Sequence, residues 1–198
     1  MKLFFIITLI VSGCYNIVAQ TGYIVGNKVN DFSLPTLGSD VKKSLSDYTE
    51  KKGVVVIFHS VTCPFAKLYE TRLLDLKSEF QSQGVQFLFI DHNNGNNESP
   101  SEIIKYLEKK QLTQLTYLLD LNRKVSGQFG ATKVPEIFVL KNVNGVFMLF
   151  YRGAIDNTPS APEPTSERYL QDALKALVGN MPLKVTSKEA SGCAISDY

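Results

Sequence analysis

One of the three cysteines, Cys63, stands where a nucleophile would be placed. The apolar run VVVIF (54–58) turns through HSVT into CPFAKLYETRLLDLKSEF, a strand followed at once by a helix. A thiol at the start of that helix faces the unpaired amides of the first turn, which favour thiolate over thiol. Three residues on, where a dithiol enzyme carries its second cysteine, the chain has Ala66. The chemistry suggested is attack by the Cys63 thiolate on sulfur or peroxide oxygen, with the second thiol supplied from elsewhere.

Cys193 is the candidate second thiol within the chain. The tail, residues 181–198, either folds back to set Cys193 against Cys63 as a resolving thiol or leaves it free and exposed. Gly192 just before it would ease the close approach that a disulfide requires. Two other groups could tune Cys63. His59 lies four residues before it at the strand end, where an imidazolium would lower the thiol pKa and a neutral ring would be structural. Lys67 and Glu70 share the helix face of Cys63, while Arg72 points roughly opposite; Lys67 is either a thiolate partner or a solvated surface lysine. His59 and His92 are the two histidines, and no cysteine–histidine spacing resembles a zinc site, so neither metal nor organic cofactor is expected.

Composition sets the class. With 44% hydrophobic and 20% charged residues in 198, the chain suffices for one globular domain. Its net charge of +2 comes from interspersed residues without a basic run, which gives no reason to expect nucleic acid as a partner. Residues 1–20, MKLFFIITLIVSGCYNIVAQ, read as an export signal: Lys2 precedes an apolar run too short for a membrane span. Cleavage near Ala19 or Gln20 competes with a lipoprotein-like box that would acylate Cys14, and with an uncleaved anchor. The expected location is the periplasm or cell envelope, with membrane attachment only if Cys14 is lipidated.

The elements that must position Cys63 follow from periodicity. DFSLPTLGS (31–39) reads as a short edge strand broken by Pro35 and Gly38, and SLSDYTEKKG as a helical turn. The strand 54–58 is apolar throughout and should be central. The helix after it carries Phe65, Leu68, Tyr69, Leu73, Leu76 and Phe80 as an apolar stripe, and VQFLFI (85–90) is the next strand. Ser99-Pro100-Ser101-Glu102 is a capping box that opens a helix to about Lys110. TYLLD is a third buried strand, LNRKVSGQFG a short helix, and EIFVL and VFMLFYR a hairpin turned at Asn144-Gly145. TPSAPEPTS is a linker, and SERYLQDALKALVGN a last amphipathic helix with its own capping signal. This order gives an α/β fold with a mixed sheet between two helical layers.

At VVVIFHSVTCPFAK, YLLDLNRKVSGQFGATKVPEIFVL and FYRGAIDN the chain resembles the thioredoxin-fold superfamily, in its AhpC/TSA peroxiredoxin-like (redoxin) branch, over residues 24–180. The resemblance implies a three-layer thioredoxin-like fold with a helical insertion, DHNNGNNESPSEIIKYLEKKQLT, before the third core strand. It implies that Val134-Pro135 is the cis-proline loop against the active cysteine, a substrate groove shared with Pro64. It also implies thiol chemistry with an external reductant, and protein thiols, protein disulfides or small peroxides as partners. Two departures stand beside it. Ala66 removes the resolving thiol of the Cys-x-x-Cys pattern. Of the peroxidatic pattern, Ser60 keeps the hydroxyl, but Val56 replaces a proline and Lys133 stands near where an arginine is expected. Copper-binding relatives need a second nearby thiol, a place that Lys67 takes. Arg152 and Asp156 follow the family pattern and read as fold-supporting. The leading expectation is a thiol–disulfide oxidoreductase acting through Cys63. A thiol peroxidase is the alternative, and a non-catalytic envelope binding module the third reading.

Overall fold

Five apolar residues in succession, three of them valine, suit a strand covered on both faces. In the computed structural model, β3 (Gly53–His59) is buried at all seven positions and lies in the middle of a six-stranded sheet. The structure describes residues 22–92, 98–159 and 167–195. The stretch expected to be an export signal, with Cys14, and most of the proline-rich linker lie outside the described residues.

β3 pairs in parallel with β4 (Val85–Asp91), which pairs in parallel with β5 (Tyr117–Leu119). On its other side β3 runs antiparallel to β7 (Glu136–Val143), and β7 to β8 (Val146–Gly153). The β7–β8 hairpin turns at Asn144 and Gly145, both at positive φ, as their sequence requires. A short ladder of β1 (Ser33–Pro35) and β2 (Lys42–Ser44) precedes a 3-10 turn at Leu45–Tyr48.

α1 (Pro64–Gln81), α2 (Pro100–Lys109) and α4 (Tyr169–Val178) cover one face, on which Val55, Ile57, Tyr69, Leu73, Ile103 and Leu174 form a core. α3 (Lys124–Phe129) and the N-terminal segment cover the other, around Val54, Val56, Phe58, Phe129 and Phe138. Phe129 is fully buried and meets Tyr23, Phe32, Phe58 and Phe138 at ring-centroid distances of 5.0–6.0 Å. The expected three layers, the mixed sheet and the inserted helix α2 are all present.

Several local expectations are corrected. Leu68 is 46% exposed, and Ala66 takes its place in the buried stripe of α1, because the first turn of that helix meets the α3 side of the sheet. The Ser99–Glu102 capping box forms with reciprocal bonds, yet α4 starts at Tyr169 with Arg168 at its N-cap and no side-chain cap. The tail is also no loose appendage. β9 (Ser187–Lys188) adds a parallel strand beside β8, and β10 (Cys193–Ala194) pairs antiparallel with β6 (Lys133–Val134).

Candidate active site

Cys63 is the N-cap of α1 and is followed by Pro64, whose missing N–H is no loss at that position. The cysteine is buried, at 4% exposure, between β3 and the loop that carries the cis Val134–Pro135 peptide bond. Its sulfur is bonded to that of Cys193 across 130 residues of sequence, with Cα atoms 6.1 Å apart. Cys63 Sγ also lies 3.2 Å from the Val134 carbonyl oxygen. As half of a disulfide it has no hydrogen to donate there, whereas a reduced thiol would have an acceptor at that distance.

The tail reaches Cys63 as a strand. Cys193 stands opposite Val134 and Ala194 opposite Lys133, and the Ile195 amide donates to the Thr132 carbonyl at 2.8 Å. Upstream, the Arg152 and Ala154 amides donate to the carbonyls of Thr186 and Lys188 at 3.1 and 3.0 Å. Between these anchors the Lys133 ammonium pairs with Glu189 at 2.7 Å, and Ala190 is buried.

Two buried carboxylates escaped the sequence reading. Glu136, next after Pro135, accepts from the Thr132 amide at 2.8 Å, the Lys133 amide at 3.3 Å and Arg152 at 3.1 Å. Arg152 also donates to the carbonyls of Gly130 and Tyr23, so one ion pair fixes the whole proline loop. Glu98 accepts from Ser60 Oγ at 2.6 Å, from the Val61 amide and from Thr62 Oγ1, and so holds the turn that delivers Cys63. The available signal was a lone acid opening the apolar strand EIFVL, and another just before a capping box. Asp156, bound to Tyr69, Arg72 and the Thr158 amide, supports the fold as expected.

Of the sequence-predicted residues, the structure brings together Cys63, Cys193, Pro64, Val134 and Pro135. The three proposed tuning residues have other partners. His59 follows Val55 and Ile57 onto the α1–α2 face, away from the cluster that contains Cys63. Its Nδ1 lies 2.9 Å from the Tyr117 hydroxyl, and its ring packs against Phe89. Burial lowers its pKa from 6.5 to about 4, against a smaller opposing pull from Glu70, so the ring is neutral and supplies no imidazolium. The Ser60 hydroxyl is committed to Glu98, and the Lys67 ammonium stands 5.9 Å from the centre of the Tyr106 ring. His92 is likewise pushed to about 4, chiefly by burial and then by Arg123. Among the described residues no group of three or more His, Cys, Asp or Glu is gathered to hold a metal.

A central mixed sheet, a cysteine capping the helix after β3 and a cis proline beside it define a thioredoxin-fold redox protein. The AhpC/TSA family profile matches residues 25–158, and the chain belongs to that family. No curated protein matches it. Among solved structures it is similar to an uncharacterized conserved protein from Geobacillus kaustophilus, at TM-score 0.79 and 24% identity over 88% of this chain and 93% of that one. It is similar to a putative thiol:disulfide interchange protein DsbE from Chlorobium tepidum, at 0.61 and 18% over 79% and 99%. It is also similar to the peroxidoxin BcpB of Mycobacterium tuberculosis, at 0.59 and 19% over 78% and 96%. These likenesses establish the fold.

Proposed function

We propose that the protein is a thiol–disulfide oxidoreductase in which Cys63 is the attacking thiolate and Cys193 the resolving thiol. The observation that carries this reading is the occupant of the site: an extended strand that presents a cysteine, paired to the cis-proline segment and bonded to Cys63. A site that holds a peptide strand suits protein disulfides better than a peroxide. Peroxide cleavage also needs donors aimed at the departing oxygen. Here the Ser60 proton goes to Glu98 and Lys133 is paired with Glu189, which weighs against the peroxidase alternative. Export under the signal in residues 1–20 would put the protein where disulfides persist.

In the cycle, the Cys63 thiolate attacks a partner disulfide and releases one partner thiolate, leaving a mixed disulfide. The Cys193 thiolate then attacks the Cys63 sulfur of that bond and expels the second partner thiolate. The partner gains two electrons and the protein dithiol loses two. An external dithiol returns the Cys63–Cys193 disulfide to the reduced state.

The test is turnover of a protein disulfide with dithiothreitol as reductant, run beside hydrogen-peroxide consumption. Wild type should turn over the disulfide, Cys63→Ser should be inactive, and Cys193→Ser should accumulate a Cys63 adduct visible by mass spectrometry. Cys63-dependent peroxide consumption without any disulfide turnover would establish the peroxidase instead. An inert Cys63 in both assays would leave the binding module.

A further inference from the structure

The seat occupied by residues 186–195 is selective at three points. The first is backbone pairing: Cys193, Ala194 and Ile195 run antiparallel along Val134, Lys133 and Thr132, so the occupant must be extended. The second is the residue before the cysteine. A Cβ on Gly192 would lie 2.7 Å from the Val134 carbonyl carbon and closer still to its oxygen. Those are backbone atoms of the loop that Glu136 and Arg152 fix, so they cannot yield as a flexible side chain would. The third is charge. Glu189, four residues before Cys193, meets the Lys133 ammonium, while Ala190 beside it is buried.

We propose that the partner is a protein disulfide whose cysteine, the one that becomes bonded to Cys63, lies in an extended segment with glycine immediately before it. A carboxylate four residues before that cysteine completes the match. This rests on the thiol–disulfide exchange reading above and adds the identity of the segment. Tail and partner then use one seat in turn. While the partner cysteine is bonded to Cys63, its strand holds the ladder positions along Val134 and Lys133. Cys193 reaches the Cys63 sulfur only as that strand gives way. Resolution is therefore an exchange of strands as well as of sulfur bonds: the Cys63–Cys193 bond forms, the bond from Cys63 to the partner breaks, and the electron pair leaves on the partner thiolate. The closed, oxidised protein is correspondingly shut to new partners until an external dithiol reduces it.

The experiment uses the reduced full chain carrying Cys193→Ser and three disulfide probes. Two are peptides of residues 186–195, TSKEASGCAI and the same sequence with alanine for its glycine, each with its cysteine joined to thionitrobenzoate. The third is dithiobis-nitrobenzoate, a small disulfide that needs no strand seat. Attack by Cys63 releases the coloured thionitrobenzoate and leaves the peptide on the protein, where its mass identifies it. The glycine peptide should react about tenfold faster than the alanine peptide, the effect of losing one or two net backbone hydrogen bonds. Equal rates for the two peptides overturn the glycine rule and leave the oxidoreductase reading standing. Reaction with dithiobis-nitrobenzoate and neither peptide also overturns it. Failure of Cys63 to react with all three overturns both.

Discussion

Cys63 and Cys193 share one bond, yet the fold holds them by different means. Cys63 follows a strand paired on both sides, in a turn bound by buried Glu98, against a loop locked by the ion pair of buried Glu136 with half-buried Arg152. Cys193 sits on a two-residue strand at the surface, anchored by a few backbone bonds and by an ion pair in which the Glu189 side chain is 86% exposed. Cooperative opening begins where buried contacts are few. On the proposed exchange cycle, reduction should therefore leave Cys63 in place and free the Cys193 segment. A fixed nucleophile beside a detachable resolving thiol is what the proposed exchange needs, since the partner strand would enter where the tail has left.

The largest test of that contrast is to remove the covalent bond. Closing a loop of 130 residues stabilises the chain by roughly 4 to 5 kcal/mol on the chain-entropy account. Reduced wild type and Cys193→Ser should lose about that much in denaturant titrations while keeping native far-ultraviolet circular dichroism. Gly192→Ala should leave the reduced protein as stable as wild type and slow its reoxidation to the Cys63–Cys193 form. Equal reoxidation of Gly192→Ala and wild type would mean that the tail reaches Cys63 in some other register.

Next is the fixed half. Glu136→Ala takes from the Arg152 guanidinium its carboxylate partner and from the Thr132 and Lys133 amides their acceptor, which should cost roughly 3 kcal/mol, or about 10 °C in melting temperature. It should also slow attack by Cys63 on small disulfides, because the proline loop no longer holds its place. If stability falls and reactivity is untouched, Glu136 serves the fold alone.

The same contrast separates what the sequence made legible from what it hid. Cys63, the central strand, the helices and the hairpin follow from periodicity, capping and turn chemistry, which are local signals. Cys193 remained open because two-residue strands carry no period, and only Gly192 hinted at close approach. Glu98 and Glu136 were missed because their meaning depends on partners distant in the chain or hidden in a loop: Glu98 lies 38 residues from Ser60. His59 could have been placed. It shares strand parity with Val55 and Ile57, which puts it across the sheet from the even-numbered Val56 and Phe58 that pack with Cys63.

His59 therefore belongs to stability. Buried and neutral at a pKa of about 4, it takes up a proton near pH 6.5 only after unfolding. Acid then favours the unfolded chain: the contribution of His59 is complete above pH 6.5 and is lost as the pH falls toward 4. At pH 5 this amounts to roughly 2 kcal/mol for His59. His92, shifted the same way, should add to it. His59→Phe should flatten that part of the stability profile between pH 6.5 and 5, while the pH dependence of Cys63 alkylation stays unchanged. A shifted alkylation profile would return His59 to the thiolate.

The smallest effect concerns the only ionic contact described between the tail and the proline loop. Lys133 is 31% exposed at its side chain and Glu189 almost wholly so, and exposed pairs of this kind are largely screened by water and salt. Lys133→Ala should slow reoxidation of the reduced protein by a factor of about two at low ionic strength and by less at high salt. Hydrogen bonding to Lys133, then its charge, holds the Glu189 carboxyl below its usual range, so the effect should fade as acid neutralises that carboxylate. Lys133→Glu should be slower still, because it sets like charges together, and pairing it with Glu189→Lys should restore the rate. Loss without rescue would mean that Lys133 acts through the loop backbone, and the tail would then be read by shape at Gly192 alone.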